Sequence, residues 1–267
     1  LKALLIYFSV LFSWQFVFSF LPTTFDNVDF VVYAATAASI YSIAKTTLKP
    51  DFLGRSLKQT DTAGIVLLVI SSVLSGVGSW ALLVFLDATV KGQQALNHWK
   101  LISRQEFDQI VWYVPWIVGD FITSSILGPI VEEIVFRGFI LTRLRKRYSP
   151  TLSVIISAAL FAALHFNKSF LGAFVHGIIF AMLVIRTSSI YASILVHGLY
   201  NAMITVLMVG FGFSIVGDVK VLSNFNYWAP EFVCGLIGTA LLAVYFLIWP
   251  CGHHVDPAVR LNPDTEN

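Results

Sequence analysis

The chain has 267 residues, 57% of them hydrophobic and 15% aromatic, with only 12% charged and a net charge of +2. A soluble domain carries about a quarter charged residues, so this supply could not wet one water-soluble globule, while the high hydrophobicity excludes intrinsic disorder. The small net charge and the absence of a long basic run in the sequence give no reason to expect nucleic acid as a partner, which leaves lipid as the expected surrounding.

A bilayer core about 30 Å thick takes roughly 20 apolar helical residues, whereas a β-barrel strand alternates with period two. Read this way, the apolar runs cover about 3–21, 29–45, 63–86, 110–128, 151–166, 170–186, 189–209 and 228–249. The expected fold is therefore all-α, a polytopic membrane protein with about eight transmembrane helices. The first run is longer than the apolar part of a signal peptide, and no A-x-A-like site follows it before Pro22, so it reads as a span. Lys2, Lys45, Lys49, Arg55, Lys58, Arg143, Arg145, Lys146, Arg147, Arg186 and Arg260 fall on one side of these spans. Lys91, Lys100, Arg104, Lys168 and Lys220 fall on the other, and the positive-inside bias then puts both termini in the cytoplasm. Trp80, Trp99, Trp112, Trp116, Trp228 and Trp249 lie near span ends, as interfacial tryptophans do. The two cysteines, Cys234 and Cys251, match no metal-binding spacing, and Cys234 reads as a small packing residue.

In such a chain the informative residues are ionisable ones at membrane depth, which cost about 2.5–3.5 kcal/mol each at the bilayer centre. Gly128-Pro129 reads as a break that ends one span and starts a new helix. Glu132 and Glu133 then fall in an opening turn, where the helix dipole favours anions. Arg137 follows Glu133 by four residues, in the favourable order for an ion pair. Downstream, His165 closes an apolar run. His197 and Asn201 are four apart and project from one face toward the same neighbour. His176 reads as a packing residue or one that supports the site from behind.

Brought together, these groups would supply a general base, imidazoles, and an amide donor for a developing oxyanion. Two histidines and one glutamate also form a known zinc set with an open position, so Glu132, His165 and His197 are the candidate ligands for zinc or another divalent ion. The local sequence lacks H-E-x-x-H, which excludes the zincin arrangement.

The ordered set Glu132-Glu133-x-x-x-Arg137, Phe161-x-x-x-His165 and His197-x-x-x-Asn201 resembles the CPBP family of intramembrane proteases, also called the CAAX protease and bacteriocin-processing, or Abi, family. The resemblance covers roughly residues 120–210. It implies an all-helical membrane core, here residues 110–210, to which the apolar runs add N-terminal transmembrane helices (1–109) and a C-terminal helix with a polar tail (211–267). It implies that Glu132 activates a water with help from His165, that His197 and Asn201 stabilise the oxyanion, and that Glu133 and Arg137 support the site. Phe161 would pack rather than react. The implied partners are the lipid bilayer and a peptide or membrane-protein substrate. The alternative is a membrane scaffold or bacteriocin-immunity protein that uses the same fold without proteolysis. An aspartyl intramembrane protease fits poorly, because Ile117 and Ile215 stand where the G-x-G-D patterns ending at Asp120 and Asp218 need glycine. No G-x-S-x-G setting offers a serine nucleophile, and a small transporter gains nothing from the ordered motifs.

Overall fold

The computed structural model describes residues 28–48, 53–54, 62–99, 118–119, 121–211 and 218–248, together with 6, 9, 10 and 13. Most of the first expected span, most of residues 110–120 including Asp120, and Cys251 with the polar tail lie outside the described residues.

Helix α1 (Val28–Thr47) and helix α2 (Thr62–Lys91) precede a continuous helix over 123–145, here α3. Then come α4 (Pro150–Ala163), α5 (Phe166–Thr187), α6 (Ile190–Phe211), the short α7 (Val219–Leu222) and α8 (Ala229–Ile248). Among the described residues no strand forms, and one isolated bridge joins Gly54 to Ser189. The protein is an all-α membrane protein. Thr62–Lys91, Phe170–Thr187, Ile190–Leu207 and Phe225–Leu247 are helices long and apolar enough to cross a bilayer, and Pro150–Ala163 is a shorter apolar helix.

Local signals explain the boundaries near the site. Ser149 caps α4 by accepting from the Leu152 N–H, with Pro150 in the first turn, where its missing N–H costs nothing. Ser188 takes the left-handed conformation (φ 53°) that ends α5, and the Ser189 hydroxyl accepts from the Ala192 N–H to start α6.

The structure corrects one expectation. Gly128-Pro129 is not a break: Leu127 and Gly128 both keep right-handed helical dihedrals, and α3 runs through them. The chain accommodates the proline by widening. Thr123–Leu127 is π-helical, with the Gly128 N–H reaching Thr123 O, five residues back. A second π stretch, Ile134–Leu141, follows the α-helical residues Gly128–Glu133. Glu132 and Glu133 therefore sit mid-helix between two wide turns, and the helix-dipole argument for them does not apply.

The core around α3 joins Ile40 and Ala44 of α1, Val131, Ile134, Val135 and Phe136 of α3, Phe161 of α4 and Val184 of α5. Small residues allow the close approaches. A Cβ on Gly177 would stand 3.0 Å from the Ala158 Cα, so α4 and α5 pack nearly backbone to backbone. At the far end of the bundle Trp80 packs edge-on against Trp99 and Trp228, while the Trp99 indole donates to Asp87.

Candidate active site

Four helices and one turn contribute to the candidate site. Glu133 lies on α3 with its side chain fully buried, and an isolated carboxylate there would be prohibitively costly. It is not isolated. Ser193 of α6 donates to its Oε2 at 2.5 Å, and His197 Nδ1 donates to its Oε1 at 3.0 Å. The Arg137 guanidinium, one turn on, stands 3.1 Å from Oε1 and is equally buried. Arg137 also donates to the Gly177 carbonyl at 3.0 Å, which ties α3 to α5. Its charge lies against the rings of Phe161, Phe180 and Phe136, at 4.9, 5.4 and 5.9 Å, where cation–π attraction replaces water. Phe161 thus packs, and its side chain has this second contact besides filling space.

Glu132 looks the other way. Its Oε2 is 3.8 Å from His197 Nε2 and its Oε1 is 4.0 Å from His165 Nε2, and the side chain is 20% exposed. Neither separation is a hydrogen bond, and each leaves room for an intervening water.

The two imidazoles are oriented from behind. A carboxylate can only accept, so His197 presents Nδ1–H to Glu133 and turns Nε2 toward Glu132. Its ring stacks on Phe180 at 4.5 Å. A backbone carbonyl likewise only accepts, so His165 presents Nδ1–H to Phe161 O at 3.0 Å and leaves Nε2 for Glu132. His165 occupies the turn between α4 and α5 with φ −108° and ψ 17°, in the sparsely allowed bridge region. Asn201 lies one turn beyond His197 and donates from Nδ2 to Ser124 O at 2.8 Å. His176 sits apart from this group. Its nitrogens meet the carbonyls of Gly172 and Ser72, and its ring packs on Tyr200, as a packing residue would.

The structure thus brings Glu132, Glu133, Arg137, His165 and His197 together and places Asn201 on α6 beside them. Sequence reasoning missed Ser193 as a member. Its signal was legible, because Ser193, His197 and Asn201 recur every fourth residue on one helix face. Among the described residues no group of three or more His, Cys, Asp or Glu side chains is placed to hold a metal ion.

Residues 114–203 match the family described as "Type II CAAX prenyl endopeptidase Rce1-like". Over these residues the chain is similar to that family. The match brackets all three motifs, from Glu132 to Asn201. A stretch of 106 residues is 32% identical to "Putative membrane peptidase YdiL" of Bacillus subtilis (strain 168), covering 39% of this chain and 42% of that protein. The chain therefore matches under half the length of this relative. No solved structure matches.

Proposed function

We propose that the protein is an intramembrane endopeptidase in which Glu132 activates the attacking water. The observation that carries this is the gap in front of Glu132, where a carboxylate and two imidazole nitrogens converge at 3.8–4.0 Å. Peptide hydrolysis needs a water to be deprotonated and a carbonyl oxygen to be stabilised as charge develops.

In this reading a water between Glu132 and His165 gives its proton to Glu132 as its oxygen bonds to the carbonyl carbon. The carbonyl electron pair moves onto the oxygen. Glu132 then passes the proton to the amine nitrogen as the C–N bond breaks, which leaves an acid and an amine. An imidazolium donates from both nitrogens, so His197 can keep its bond to Glu133 while Nε2 meets the oxyanion. Asn201 has two amide hydrogens, of which Ser124 takes one, and the other remains for the same oxygen. Arg137 and Ser193 hold Glu133, and Glu133 holds the His197 ring. Both termini lie in the cytoplasm in this scheme, and the substrate is a peptide or membrane-protein segment reached from the bilayer.

The test is proteolysis of farnesylated and unfarnesylated CAAX peptides, and of a mixed membrane-protein peptide pool, by purified enzyme in proteoliposomes. Glu132→Gln is expected to lower turnover by about 10²–10⁴-fold, the usual contribution of a general base. Turnover equal to the wild type would overturn the assignment and favour the scaffold alternative. A chelator arm belongs in the same experiment, because activity that returns only with added divalent ion would put a metal at Glu132, His165 and His197.

A further inference from the structure

Pro129 has no backbone N–H, so one carbonyl upstream in α3 loses the hydrogen it would otherwise receive. In α-helical bonding that carbonyl belongs to Ser125, four residues back. In the wide bonding seen at Thr123–Leu127 it belongs to Ser124, five back. The carbonyls of Ser124 and Ser125 face the same turn of α6. Asn201 Nδ2 donates to Ser124 O at 2.8 Å. Ser125 O lies so near Gly198 that a Cβ built there would stand 2.5 Å from it, closer than any side chain tolerates. Gly198 and Asn201 are three residues apart and so share a helix face.

The wide turn also sits on the side of α3 that carries the candidate base. A Cβ on Gly128 would meet Thr123 O at 3.0 Å and Glu132 Oε1 at 4.0 Å. The turn and the carboxylate therefore share one edge of the helix. A carbonyl without a donor is costly in a membrane interior, where no bulk water replaces the missing hydrogen. Closing the turn to regain an α-helical bond would rotate every residue after it, Glu132 included.

We infer that Asn201 is a positioning residue for Glu132: its amide replaces the hydrogen that Pro129 lacks and fixes the wide turn that aims the carboxylate between His165 and His197. This rests on Glu132 being the base. It gives Asn201 a duty that is independent of any contact with the substrate.

The two roles separate in a double-mutant cycle of Asn201→Ala and Pro129→Ala, read as kcat, KM and thermal midpoint in proteoliposomes or detergent. Pro129→Ala restores a backbone N–H beside the orphaned carbonyl. Asn201→Ala alone is expected to lower kcat about 10²-fold, the scale of a 1 Å misplacement, with KM unchanged. Adding Pro129→Ala is expected to recover at least about tenfold of that loss. The midpoint lost in Asn201→Ala is expected to be about 2–4 °C and to shrink when Pro129→Ala is already present. Strictly additive kcat effects together with additive midpoints would overturn the inference and leave Asn201 as an oxyanion donor alone. The midpoint coupling does not depend on proteolysis, so an active Glu132→Gln enzyme would sink the assignment of the base while the 129–201 coupling stayed readable.

Discussion

Behind the His197 ring, Glu133 accepts from Ser193 and His197, faces Arg137 and is shut off from solvent. In front of the ring, Glu132 faces two imidazole nitrogens at distances too long for direct bonds and is partly exposed. The two carboxylates are adjacent in sequence, so the helix itself sorts them: successive side chains on α3 point about 100° apart. One is partnered on every side inside the protein and the other keeps an open side. A charge satisfied on every side holds its neighbours still, and a charge left partly unmet can take up a proton or a water.

Three substitutions test that division. The largest expected effect follows from Arg137→Met, which strands the buried Glu133 charge. Breaking a buried pair costs about 3–5 kcal/mol, so the thermal midpoint in detergent is expected to collapse and activity with it. A stable, active Arg137→Met protein would mean that Glu133 does not depend on its partner. Ser193→Ala removes one of three partners and is expected to cost about 1.5–3 kcal/mol of stability, the range for a hydrogen bond to a charged group. A smaller turnover loss than that of Glu132→Gln should accompany it, and melting and kinetics matching the wild type would show that the Ser193 bond is dispensable. Glu132→Gln is expected to have the smallest effect on stability, within about 0.5 kcal/mol of the wild type. Marked destabilisation by this substitution would place Glu132 in the scaffold and erase the contrast with Glu133.

Much of this arrangement was legible in the sequence. Scarcity of charge marked the class, and apolar run lengths located α2, α5, α6 and α8 to within a few residues. The i, i+4 spacings placed Arg137 beside Glu133 and put His197 and Asn201 on one face. Gly128-Pro129 misled, because proline is more often a boundary than a residue absorbed by a widened helix. The resemblance separated Glu132 from Glu133, but the partners that bury Glu133 could not be read locally. Local pattern cannot say which of two adjacent carboxylates meets Ser193, sixty residues away in sequence. Ser193 was passed over despite sharing that face with His197 and Asn201, because serine is also the ordinary small residue of packed membrane helices.

Helix α4 has only 14 residues, which at 1.5 Å per residue is about 21 Å against a hydrocarbon core of about 30 Å. Its outward side chains Leu152 and Ile155 are exposed and apolar, suited to acyl chains rather than water. At its C-terminal end α4 stops about 9 Å short of the length such a core requires. That end is the turn carrying His165. A short helix therefore delivers His165 to Glu132, where a helix of full spanning length would carry the turn about six residues farther on.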